Sequence, residues 1–130
     1  MKWSVLVLCC LLAGCVIGAS GQRSIATYDL GLPIPAKNTP VKISTPLLVP
    51  NVSAPSWLDT PAMLYRLAYT EAPRYQAYAE SRWVAPPPEL LTLRLRTRIG
   101  AASSSGILTD PRSGNANFAL RVELEEFSQI

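Results

Sequence analysis

The sequence predicts an α+β domain, a mostly antiparallel sheet with one or two helices packed on one face, and three observations carry that expectation. Short runs of β-branched and aromatic residues, several with apolar residues at every second position, recur between proline-rich connections. A leucine- and arginine-rich segment led by three prolines, residues 86–100, holds the start and stop residues of a helix. Beyond its N-terminal apolar run the chain is long enough for one small core.

The first element is not part of that core. MKWSVLVLCCLLAGC places one cation, Lys2, before an apolar run from Trp3 to Leu12 and then small residues, the order of a secretory signal. Leu12-Ala13-Gly14-Cys15 resembles the lipobox of bacterial lipoproteins, in which small residues fit the peptidase and the cysteine sulfur receives a diacylglycerol. An uncleaved membrane helix fits less well, because Trp3 to Ala19 falls short of the ~20 residues that span a bilayer and is interrupted by Gly14 and Gly18. Residues 1–14 are therefore expected to be a lipoprotein signal peptide, with Cys15 as the acylated first residue of the mature chain. Acyl chains contribute about 0.8 kcal/mol per buried methylene, so two or three of them hold a protein durably on a membrane. Val16 in place of an aspartate favours the outer membrane over the inner one, by resemblance to known sorting rules. Residues 15–23, rich in Gly and Ser, read as a flexible tether, and 24–130 as the domain.

Within the domain, Ser24–Leu30 and Val41–Val49 read as strands joined by the proline-rich loop Pro33–Pro40; Val41, Ile43, Thr45, Leu47 and Val49 share one side of the second. Met63–Tyr69 and Arg74–Tyr78 form a hairpin turned by Glu71-Ala72-Pro73, and Phe118–Phe127 closes the chain as a strand with Phe118, Leu120, Val122 and Leu124 on one face. Gly100–Asn117, rich in Ser, Gly, Asn and Asp, is expected to be a mobile loop. Residues 86–100 remain ambiguous on pattern alone. Leu91, Leu93, Leu95, Thr97 and Ile99 alternate as in a strand, whereas Pro88, Glu89 and Gly100 supply helix boundaries and Leu91, Leu95 and Ile99 would share one helical face.

The inventory of reactive groups narrows the function. There is no histidine, and Cys9, Cys10 and Cys15 all sit in the N-terminal segment, leaving no thiol in the domain for a nucleophile, a zinc site or a disulfide. The nine acids form no calcium-binding loop and no carboxylate cluster at helical spacing. No catalytic residue, metal site or cofactor is expected. Without Lys2 the mature charge is 11 − 9, or +2, too weak an excess to argue for nucleic acid. Arg94, Arg96 and Arg98, the one dense basic stretch, read as a solvated face rather than a phosphate or headgroup site.

Taken in order, Leu12-Ala13-Gly14-Cys15, Tyr28-Asp29-Leu30-Gly31, Trp57-Leu58-Asp59 with Pro61, Tyr65 and Arg66, then Trp83, Pro86 and the leucines after it, and finally Leu120, Val122, Leu124 and Phe127 resemble the ABC-type transport auxiliary lipoproteins, periplasmic partners of lipid transporters that carry mammalian-cell-entry domains. The resemblance spans most of the mature chain. It implies a helix over residues 88–99 and a non-enzymatic, lipid-anchored subunit that docks on a transporter component and helps lipids move between the two membranes, with room for a homo-oligomer. Family members are longer, with further strands and a closing helix after the position of Phe127, so either a C-terminally truncated copy or a protein that needs a partner to cover a sheet edge or face is expected. The rival reading from another class is a structural outer-membrane lipoprotein that scaffolds the envelope without transport.

The stretch APSWLDTPAMLYRL, residues 54–67, concentrates the residues suited to recognition. Asp59-Thr60-Pro61 reads as a turn in which the Asp carboxylate accepts from backbone N–H groups. Trp57, Arg66 and Trp83 are the candidate partner-binding anchors, since exposed aromatic and arginine side chains dominate binding energies. A tryptophan at either position would serve equally as a lid on the core.

Overall fold

Strand formation in this chain is set by where prolines interrupt the backbone ladder. The computed structural model describes residues 24–31, 43–67 and 74–129; the signal peptide, residues 15–23, the Pro33–Pro40 loop and the Glu71-Ala72-Pro73 turn lie outside them. A four-stranded sheet is built from β1 (Ala26–Tyr28), β3 (Ala62–Tyr65), β4 (Gln76–Trp83) and β7 (Ser128–Gln129) in the order β1-β4-β3-β7. A three-stranded sheet sets β2 (Leu47–Leu48) between β5 (Ile107–Leu108) and β6 (Phe118–Ala119). Pro46 and Pro50, which have no N–H to donate, bracket β2 and limit it to two residues. The extended chain around it is nevertheless tied on both sides: Val49 N–H donates to Leu108 and Ser53 N–H to Val122, while Leu120 N–H donates to Leu48 and Leu124 N–H to Ser53.

The expected hairpin is present as the antiparallel pair β3–β4, and β4 runs past Tyr78 to Trp83. Its register breaks once. Leu64 faces Ala77 but Ala62 faces Arg82, so two steps on β3 (64 − 62) match five on β4 (82 − 77) and β4 bulges between them. The other four pairings, β1–β4, β2–β5, β2–β6 and β3–β7, are parallel. The α+β class therefore stands, but with mixed sheets instead of mostly antiparallel ones. Alternation reports which face a residue turns to the core and carries no information on the direction of the neighbouring strand.

The closing segment is not one strand. It leaves the second sheet after β6, makes a single bridge between Ser53 and Glu123, and joins the first sheet as β7. Its alternation is real, with Leu120, Val122 and Leu124 half-buried and Arg121, Glu123 and Glu125 exposed, but Phe118 points to solvent.

Residues 87–102 form α1 (Pro87–Ala102), the one α-helix among the described residues. Pro87 and Pro88 occupy its first positions, where a missing N–H costs nothing, and Glu89 lies in the first turn, favourably placed for the helix dipole. The helix passes the expected stop at Gly100 and ends with Ser103 N–H bonded to the Gly100 carbonyl. Helical geometry resolves the apparent alternation: Leu91, Leu95 and Ile99 are half-buried on one face, whereas Leu93 is 66% exposed. Gly100–Asn117 is likewise not a plain loop. It contains the last turn of α1, β5, and a 3-10 turn at Pro111–Ser113 whose Arg112 N–H is capped by the Asp110 carboxylate.

The helix is held mainly by polar side chains reaching the backbone of distant segments. Thr92 Oγ1 donates to the Pro88 carbonyl at 2.7 Å and accepts from Val52 N–H at 2.9 Å, both buried. Arg96 donates to the Val49 carbonyl and to Asn51 Oδ1, each at 3.0 Å. Arg94 donates to the carbonyls of Leu30 and Gly31. Gly31 sits at φ +73°, where a side chain would be strained, and its N–H is bonded to Asp29 Oδ1 at 2.6 Å. Tyr28-Asp29-Leu30-Gly31 thus builds the turn that Arg94 grips, and the expected solvated arginine face is corrected: Arg94 and Arg96 tie the helix down, while Arg98 is exposed.

Among the described residues Val49 and Leu58 are fully buried, Val52, Pro87 and Pro88 are buried as well, and the buried polar residue is Thr92. Thr92→Val keeps the volume but leaves the Val52 N–H without an acceptor in a dry environment, which should lower stability by about 1 to 2 kcal/mol, whereas Thr92→Ser keeps the oxygen. Urea unfolding of the two variants checks this; a valine variant as stable as the parent refutes it.

Candidate docking surface

The 3-10 turn Ser56–Leu58 points adjacent residues in opposite directions, burying Leu58 and leaving Trp57 exposed. Its end differs from expectation. The Ala62 N–H is bonded to Thr60 Oγ1 at 3.3 Å, and Asp59 contributes its own N–H, to the Ser56 carbonyl, instead of its carboxylate.

Trp57 stacks on Tyr75 with ring centroids 4.6 Å apart and planes at 28°, an offset arrangement that suits two quadrupolar rings. Arg66 lies over the same tyrosine, its guanidinium carbon 5.2 Å from the ring centre. The hairpin register makes this contact: Leu64 faces Ala77 and Tyr65 faces Gln76, so Arg66 and Tyr75 are the next positions across. Arg66 also pairs with Glu126 at 2.5 Å, a half-exposed ion pair worth at most about 1 kcal/mol. Glu126 in turn accepts from the Ser128 hydroxyl at 2.8 Å.

Glu126 begins the wall of a groove of about 470 Å³ whose other sides are Met63, Leu64, Tyr78, Trp83 and Phe127. Trp83, at the end of β4, lies 5.4 Å from Phe127 with rings inclined at 57°. The Tyr78 hydroxyl donates to Gln129 Oε1 at 2.5 Å and its ring lies 4.7 Å from Tyr65, which donates to Gln76 Oε1 at 2.7 Å. Apolar and aromatic walls with carboxylate and amide groups at one side can hold an apolar segment and orient it by a few polar contacts. Among the described residues no three Cys or acidic side chains are grouped to hold a metal. No described helix is long and apolar enough to cross a membrane.

The structure therefore connects the three sequence-derived anchors in one run of contacts, Trp57 to Tyr75 to Arg66 to Glu126, and from there along the groove wall to Phe127 and Trp83. Trp57 and Tyr75 stand outside the groove, whereas Trp83 is one of its walls. Sequence reasoning missed Tyr75, Tyr78, Glu126 and Phe127 as members of this surface. The hairpin register would have supplied Tyr75; Glu126 and Phe127 depend on β7 pairing with β3, which no local pattern encodes.

The model of the ABC-type transport auxiliary lipoprotein component family matches residues 28–130. Among solved structures, protein XCC0632 from Xanthomonas campestris, described under the family model DUF330, is similar with a TM-score of 0.63 and 18% identity, over 79% of this chain and 56% of that one. A second, described as an uncharacterized protein, is similar with a TM-score of 0.53 and 17% identity, over 82% of this chain and 61% of its own. This chain thus spans less than two thirds of either structure, and the likeness is one of fold. No curated protein matches.

Proposed function

The chain belongs to the family of ABC-type transport auxiliary lipoprotein components, and from that premise we propose that it is a non-enzymatic subunit, anchored to the outer membrane through acylated Cys15 and facing the periplasm, that docks on a transporter component with mammalian-cell-entry domains and assists lipid traffic between the membranes. The observation that carries the docking part is the open groove walled by Trp83 and Phe127, with the Arg66–Glu126 pair at its side. An aromatic pair beside an arginine is the composition of a binding hot spot, because large rigid side chains lose little entropy and desolvate much area on contact.

The test is affinity purification of the tagged chain from detergent-solubilised envelopes, followed by mass spectrometry of the proteins and lipids retained. Enrichment of a transporter component with mammalian-cell-entry domains is the expected result. Recovery of outer-membrane assembly proteins alone, without any transporter component, refutes the proposal and favours an envelope scaffold.

A further inference from the structure

We infer that the cleft lined by the first turns of α1, Val84 and Asp59 docks a second protein through an apolar side chain flanked by a lysine or arginine. The cleft holds about 710 Å³, against about 470 Å³ for the Trp83 groove, and the two share no lining residue. Chain connectivity builds it. β4 ends at Trp83, the Val84 N–H is bonded to the Tyr28 carbonyl, and Val84-Ala85-Pro86 leads directly into α1. Thr92 and Arg96 bond the helix to residues 49–52, and the 3-10 turn Ser56–Leu58 that follows ends on Asp59, which joins the lining.

The interior of the cleft is apolar. Val52, Pro88 and Thr92 are its buried members, and the Thr92 hydroxyl is already engaged by the Val52 N–H and the Pro88 carbonyl. Val84 and Leu93 are 59% and 66% exposed. One such residue on a surface is ordinary, but these two line the same cavity, so a partner seated in it removes apolar area that the fold itself leaves in water.

Charge decides what enters. Asp59 and Glu89 are exposed, and among the described residues neither carboxylate has a hydrogen-bond or ion-pair partner. Arg96, the cation of the lining, is held by the Val49 carbonyl and Asn51 Oδ1. It lies seven residues (96 − 89) along α1 from Glu89, about 10 Å at the helical rise. The lining thus carries −1 (1 − 2), whereas the mature chain carries +2 (11 − 9). The α1 N-terminus offsets part of the Glu89 charge, which leaves Asp59 the stronger attraction. A lysine or arginine matches such a site because its methylene stem packs on apolar surface while the charged head reaches the carboxylates. An ammonium-bearing phospholipid suits it less, since its phosphate would lie beside two acids while the arginine is distant and already bonded. The occupant is defined by this chemistry and not by the transporter reading.

The test introduces Leu93→benzoylphenylalanine, a photo-reactive side chain at an exposed position, into the tagged full chain, irradiates native host cells, and identifies the attached peptide by mass spectrometry. The expected product is a different protein, joined at a segment with a lysine or arginine beside the attachment point. Asp59→Asn combined with Glu89→Gln should lower its yield about five-fold or more. Both carboxylates are exposed and unpaired, so the melting temperature should not change. Phe118, also 66% exposed, is the control position for the same probe. A lipid adduct, a second copy of this chain, a segment without a nearby cation, a yield indifferent to the two substitutions, the same product at equal yield from Phe118, or no product at all overturns the inference.

Discussion

Leu58→Ala should lower the free energy of unfolding by about 3 to 5 kcal/mol, enough to leave a small domain largely unfolded at physiological temperature. Leu58 is 1% exposed and is the buried residue of the 3-10 turn Ser56–Leu58. The described core has few other members, Val49 and Val52, so the lost contacts are a large share of the total. Leu93→Ala is the matched control. It removes the same atoms from a residue that is 66% exposed in α1, and alanine favours the helix, so its effect should stay within about 0.5 kcal/mol. Urea unfolding of both variants separates them. A loss below 1 kcal/mol for Leu58→Ala would mean that the core is centred elsewhere.

The contrast between Leu58 and Leu93 also shows what the sequence could and could not reveal. Leu91, Leu93, Leu95, Thr97 and Ile99 alternate as cleanly as any strand, yet they are helical, and the proline start with Glu89 was the better signal because it reflects backbone constraint instead of composition. The hairpin was legible for the same reason: its two halves lie close in sequence and each carries a period-two pattern. What escaped was long-range. Arg94, Arg96 and Thr92 bond to the backbone of residues 30–31, 49 and 52, between 40 and 64 positions away, and nothing in the local pattern distinguishes such an arginine from a solvated one. The parallel pairings fall in the same class, because a strand of two or three residues carries too few side chains to specify its partner. Trp57 and Arg66 were selected as separate anchors for their residue types; their meeting on Tyr75 follows from the strand register.

Register also separates the two tryptophans in position, and this gives the second large effect. Trp83→Ala should weaken binding of the transporter component by about 2 kcal/mol or more, some 30-fold, because it removes one wall of the groove and leaves Phe127 unsupported. Its cost in stability should be well below that of Leu58→Ala, since Trp83 is only half-buried and its space opens to solvent without forming a closed cavity. Trp83→Phe keeps an aromatic face against Phe127 and should recover most of the affinity. Trp57→Ala, which removes a ring stacked outside the groove, should bind the same partner within about two-fold of the parent. Thermal melting and quantitative pull-down on the same preparations discriminate the alternatives. If Trp83→Ala melts as low as Leu58→Ala while Trp83→Phe restores melting and binding together, Trp83 is a core lid and the groove is a seam of the fold. If Trp57→Ala loses the partner and Trp83→Ala does not, docking uses the Tyr75 side of the sheet instead of the groove.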